Sequence, residues 1–113
     1  MFVTAQGSPL TRFPRAVERE SLILAEIAAT EAGYLGLDDA LRLTGLYASA
    51  GDPKFDKAAV RWLARFALEA DRVTLAEMEL AAVSLAALPA RGEPVLRVLL
   101  GLVEGFWRSL VRA

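Results

Sequence analysis

Three consecutive residues, Gly51-Asp52-Pro53, constrain this chain most, because each fits a different rule for a junction between helices. Gly suits the left-handed position that closes one helix. Asp suits the N-cap of the next, and Pro suits its first turn, where no backbone donor is needed. The flanking segments agree. Before the junction, Leu37, Leu41 and Ala48, with Leu43, Leu46 and Tyr47, mark an apolar face over residues 37–50. Asp38 and Asp39 stand at its start, where carboxylates favour the positive end of the helix dipole. Gly45 permits a close approach from another helix. After the junction, Phe55, Ala59, Trp62 and Phe66 recur at helical spacing over residues 53–70, widened by Val60, Leu63 and Ala67. Residues 37–69 therefore read as a helical hairpin on which the rest of the chain packs.

The remaining segments are helical by the same criteria. A first helix is predicted over residues 12–32, with Thr11 as N-cap, Pro14 in the first turn and Gly33 as terminator. A start at Ser8-Pro9 is the alternative, and it would leave Pro14 inside the helix as a kink. Residues 1–10 show no periodicity and read as an irregular N-terminal arm. Thr74 and Glu77 form a capping box that opens a helix reaching about residue 88. Within it, residues 80–88 (LAAVSLAAL) carry no charge on any face, so this stretch is expected at the buried centre. Residues 89–92 read as a linker, and Glu93-Pro94 opens a fifth helix reaching about residue 111. The chain is 55% apolar, rich in Ala and Leu and sparse in β-branched residues. The expected fold is a single all-α domain over residues 11–113, with five helices in antiparallel hairpins, either repeat-like (α-solenoid-like) or an irregular bundle.

Internal similarity supports the repeat-like option. Leu24-Ala25-x-x-Ala28 overlays Leu63-Ala64-x-x-Ala67, and in the same register Leu41, Leu46 and Ala48 overlay Leu80, Leu85 and Ala87. Gly51-Asp52-Pro53 and Gly92-Glu93-Pro94 match two residues out of that register. The segment Leu46-Tyr47-x-x-x-Gly51-Asp52, followed by Phe55-Asp56-Lys57-Ala58 and Ala67-Leu68-Glu69, resembles the middle of a tetratricopeptide repeat. It departs from that pattern in the inserted Pro53-Lys54, in the stretched spacing of the later Ala residues and in the absence of a closing Pro after Glu69. The resemblance covers about a quarter of the chain. It implies an α-hairpin module that binds other proteins and performs no chemistry.

The chain contains neither His nor Cys. Triads built on His, thiol nucleophiles and Cys/His zinc sites are therefore excluded. A carboxylate-only metal site would draw on Glu18, Glu26, Glu31, Asp38, Asp39, Glu77 and Glu79, which read more simply as caps and solvated faces. Gly33-Tyr34-Leu35-Gly36 lacks the lysine and spacing of a phosphate loop, and no cofactor is expected. No basic region followed by an apolar run opens the sequence, and no stretch reaches about 18 uninterrupted apolar residues. The expectation is a cytoplasmic chain with neither leader nor membrane span.

Two surfaces remain as binding candidates. Lys54, Lys57, Arg61 and Arg65 line one side of the helix after the junction, with Arg72 just beyond. Such a stripe fits an acidic protein segment or a phosphate backbone, although a net charge of −1 gives no global attraction to nucleic acid. The last helix carries two apolar rows. Val95, Leu99, Leu102 and Phe106 form one; Leu96, Leu100, Val103, Trp107 and Leu110 form the other. A helix at the edge of a small domain needs one row, so the second is assigned to self-association or a protein partner. Closure of the bundle would also use it, and Arg97, Arg108 and Arg112 beside Trp107 fit an interfacial helix. The functional expectation is a small non-enzymatic interaction or adaptor module that self-associates through its C-terminal helix. A nucleic-acid-associated regulator is the alternative, and an enzyme with a carboxylate metal site the remote one.

Overall fold

The computed structural model describes residues 8–105. Among them it places six helices and no strand: α1 (Pro9–Glu18), α2 (Leu22–Ala32), α3 (Leu37–Ala50), α4 (Phe55–Glu69), α5 (Leu75–Arg91) and α6 (Glu93–Glu104). The all-α class holds. The expected count of five does not, because the helix predicted over residues 12–32 is two helices. The chain breaks at Glu20, which adopts a left-handed φ of 54°. Ser21 then opens α2 by accepting the Leu24 N–H on its hydroxyl at 3.3 Å. The reversal sets α1 antiparallel to α2, and Arg12 near the start of α1 pairs with Glu31 near the end of α2.

Other boundaries differ from expectation for local reasons. The Ser8 carbonyl accepts from both Thr11 and Arg12, each at 2.9 Å, so α1 begins at Pro9 rather than after Thr11. Pro9 and Leu10 thus belong to a helix, while residues 1–7 of the expected arm lie outside the described residues. Pro14 falls inside α1 and forfeits one backbone hydrogen bond. Pro89 likewise lies inside α5, not in a linker. The turn comes at Gly92, whose φ of 66° and ψ of −135° suit glycine alone and join α5 directly to α6.

The junction at Gly51 behaves as a helix stop. Gly51 is left-handed (φ 63°, ψ 31°), its N–H donates to Ala48 O at 3.2 Å, and the Asp52 N–H donates to Tyr47 O at 3.0 Å. This is the Schellman pairing that satisfies carbonyls at a helix end. Asp52 caps the turn into α4, accepting the Lys54 N–H on its carboxylate at 2.8 Å. Regular α4 starts at Phe55, after a turn through Pro53 and Lys54. The Thr74–Glu77 capping box forms reciprocally, at 2.8 and 3.1 Å.

Helix α3 is the centre of the bundle and packs against all five other helices. The main core joins Leu41 of α3, Trp62 and Phe66 of α4, Leu85 and Leu88 of α5, and Leu99 and Leu102 of α6. Trp62 and Phe66 stack one turn apart, 5.2 Å between centroids and 9° between planes. The Trp62 indole N–H donates to the Leu37 carbonyl at 2.8 Å, which satisfies its one polar atom inside the core. A second cluster, Phe13, Ala16, Ala25, Ala28 and Leu46, seats the α1–α2 hairpin on another face of α3. In a solenoid each unit touches only its neighbours. Here α6 returns onto α3, with Leu96 packed over Gly45, and the arrangement is a compact helical bundle.

The uncharged stretch of α5 is not the centre. One face is buried, through Ala81, Ser84, Leu85 and Leu88, while Leu80, Ala82, Val83 and Ala86 are exposed. Among the described residues, no helix is long and apolar enough to cross a membrane.

Candidate functional site

The basic stripe of α4 is tied down at both ends. Lys54 Nζ lies 2.9 Å from Glu26 Oε2 on α2 and 6.0 Å from the centroid of Tyr47. Tyr47 donates its hydroxyl to the same Glu26 oxygen at 2.7 Å. These two hydrogen bonds, that from Tyr47 first, hold Glu26 below the usual carboxylate range. Burial, then Glu26, raises the Tyr47 phenol above its ordinary value. At the other end, Arg65 pairs with Glu69 at 2.7 Å, donates to Leu35 O at 2.9 Å and lies over the Tyr34 ring at 5.0 Å. Its hydrogen bond lowers the Glu69 carboxyl. Of the four stripe residues, Lys57 and Arg61 alone have no ion pair among the described residues. A phosphate backbone would therefore meet two available charges, with Arg61 at the edge of a shallow hollow of about 170 Å³ beside Trp62.

The expected association face on the last helix is half accounted for. Leu96, Leu100 and Val103 are half-buried against the main core, together with Val95 of the other row. Both rows are therefore used within the chain as far as Gly105, which closes α6 in a left-handed conformation. Trp107 and Leu110, with Phe106 of the first row, lie outside the described residues.

The surface that sequence reasoning missed is the outer face of α5. Ala76, Leu80, Val83, Ala87 and Ala90 lie along it at helical spacing. Val83 is 64% exposed, Leu80 43% and the neighbouring Leu75 87%. Residues 80–90 carry no charge, and this uncharged stretch is bounded by Glu79 at one end and Arg91 at the other. Between α5 and α6 it continues into a hollow of about 460 Å³ lined by Val83, Ser84, Ala87, Arg91, Pro94 and Val95. The available signal is the all-round absence of charge. It suggests full burial inside one chain, whereas one half of the helix faces outward.

The break at Glu20 creates a further surface that an unbroken helix would not have. In a single helix, Arg15 and Leu24, nine residues apart, would lie on opposite sides. In the hairpin, Arg12, Arg15 and Arg19 line one wall of a groove of about 310 Å³, Leu24 and Ile27 line the other, and Ala16 and Ala28 form its floor. Leu24 and Ile27 are each 48% exposed.

Most of the candidate carboxylates take structural roles within the fold. Glu31 holds Arg12, Asp38 and Asp39 both hold Arg42, and Glu77 closes the capping box. Burial, followed by the neighbouring Asp38, raises the Asp39 carboxyl. Among the described residues, no three acids gather into a group that would hold a metal ion. Comparison with known protein families, curated proteins and solved structures finds no match to this chain.

Proposed function

We propose that this chain is a small, non-catalytic protein–protein interaction module that self-associates through its C-terminal hairpin, with the outer face of α5 as the contact. One observation carries the reading: an exposed helix face with no charge from residue 80 to residue 90. Soluble helices keep charge on their outer side, and a contiguous apolar face with charged ends is the usual mark of an interface. The face is also complementary to itself. Antiparallel pairing about a two-fold axis near residue 85 sets Val83 against Ala87 and Leu80 against Ala90. Leu80 of a second copy then reaches the hollow at Ala87, Arg91 and Pro94. The tetratricopeptide-like segment and the similarity between residues 24–48 and 63–87 favour the same class, a helical-hairpin module that acts by binding. The basic stripe offers a nucleic-acid reading less support, since Lys54 and Arg65 are engaged within the chain.

The test is light scattering after gel filtration across a concentration series. The expected mass is that of two chains, reverting to one in Val83→Asp. Because Val83 is exposed, that variant should keep the helical content and melting behaviour of the parent. Leu100→Asp, by contrast, should destabilise the fold itself, because Leu100 packs on the core. A mass of one chain at concentrations on the order of hundreds of micromolar would sink the proposal.

A further inference from the structure

We infer that the groove between α1 and α2 is a second, independent docking site, and that its occupant is a helical protein segment carrying alternate acidic and aliphatic residues. Arg12 and Arg15 of α1 and Arg19 at its C-terminal cap lie on one side and span two turns, about 10 Å. Arg12 is held in place by Glu31, and its Nε is buried without a hydrogen-bond partner. Arg15 and Arg19 have no ion pair or hydrogen bond from their side chains among the described residues. The nearby acids do not neutralise this wall. Glu18 at the end of α1 and Glu20 in the turn line a different cleft, with Arg42 and Glu93.

The opposite wall is aliphatic. Leu24 and Ile27 stand over an alanine floor, and Ile23, 72% exposed, extends the apolar surface along α2. Helix α2 is another case of a helix apolar nearly all round with one face exposed. Its residues 22–29, LILAEIAA, include one charge, Glu26, which is bound to Tyr47 and Lys54.

The chemistry of the two walls selects the occupant. Guanidinium groups in a row match carboxylates in bidentate fashion, and the alanine floor leaves room for an aliphatic side chain between them. A partner helix with Glu or Asp at i, i+3 or i+4, and i+7, and Leu or Ile one position aside, presents both features on one face. An anionic membrane would also attract arginines. A lipid surface is flat, however, whereas these arginines rim a concavity, and Glu31 sits among them.

The experiment uses the full chain and a fluorescein-labelled synthetic helical peptide with Glu and Leu at that spacing, followed by anisotropy at low salt. A counterpart peptide carries Lys in place of every Glu. The Glu peptide should bind. Its affinity should fall about tenfold or more in Arg15→Glu/Arg19→Glu and decline with added salt. It should stay unchanged in Lys57→Glu/Arg61→Glu. The Lys peptide should bind only the Arg15→Glu/Arg19→Glu variant, a swap that keeps the result readable if that variant is less stable. Equal affinity of both peptides for the parent chain would overturn the inference. So would an unchanged affinity in the arginine variant, or binding to phosphatidylglycerol vesicles without binding to the Glu peptide. Val83→Asp leaves this groove intact, so the outcome does not depend on the state of the α5 face.

Discussion

Glu26 joins three elements through one carboxylate oxygen, which accepts from Tyr47 on α3 at 2.7 Å and from Lys54 at the entry to α4 at 2.9 Å. Both bonds favour the ionised form, so the Glu26 pKa in the fold lies below its unfolded value. A depressed carboxylate pKa contributes stability that is present above the unfolded pKa, and that stability is lost as pH falls through the folded value. Urea denaturation of the parent chain should therefore show a loss of stability on acidification below about pH 5, part of which disappears in Glu26→Gln. At pH 7 that substitution should cost about 1 kcal/mol, below the usual range for a hydrogen bond to a charged group because the site is partly solvated. A Glu26→Gln variant with the parent's stability at pH 7 would show that the network contributes nothing to the fold. This cluster is not legible in the sequence. There Glu26 is one more residue on a polar helix face and Lys54 the first of a basic stripe. Their pairing spans 28 residues and depends on how α2 lies against α3. The Arg65–Glu69 pair, at i and i+4 on one helix, is the kind of contact that spacing alone reveals.

At the level of elements, features set by a few adjacent residues are legible and features set by packing are not. The Gly51 stop and the Thr74–Glu77 box are local chemistry, and both form. The reversal at Glu20 is also local, but a non-glycine residue at positive φ leaves little trace. Phe13, Val17, Leu24, Ile27 and Ala28 keep helical phase across the break, which conceals it. Two glycines in α3 and at its end separate conformational from steric demands. At Gly45 an added Cβ would meet Leu96 at 3.4 Å, within ordinary contact, so Gly45→Ala should gain helix propensity and stabilise the fold by up to about 1 kcal/mol. Gly51→Ala meets no neighbour but inherits a φ of 63°, and it should destabilise by about 1 kcal/mol. Denaturant midpoints should move in opposite directions with unchanged slopes. Stabilisation by both substitutions would contradict the left-handed stop at Gly51.

For the whole molecule, the information missing from the sequence is which helix lies innermost. A uniformly apolar stretch has no period to orient it, so residues 80–88 do not declare an inner and an outer face. Helix α3, with its clear stripe, is the central one. The same absence of charge makes the arrangement of two copies testable. Glu79 and Arg91 stand at opposite ends of the uncharged stretch, and neither has an ion-pair partner among the described residues. Antiparallel pairing brings Glu79 of each copy to the end that holds Arg91 of the other, whereas parallel pairing sets like against like. Such exposed end pairs are each worth no more than about 1 kcal/mol, enough to select an orientation and to change a dimer constant several-fold. Arg91→Glu alone should weaken association, as should Glu79→Arg alone, and the double variant should recover most of the loss, all read by sedimentation equilibrium at low ionic strength. Contact area sets the scale of that measurement. One helix pair with its flanking α6 residues lies at the small end of specific interfaces, near or below about 1,200 Å² in total, the class of weak and transient contacts, so the concentration series should extend to hundreds of micromolar, on the order used for weak dimers. Additive losses in the double variant would leave the dimer standing but reject the antiparallel register, because only that register joins the two charges across the two-fold axis.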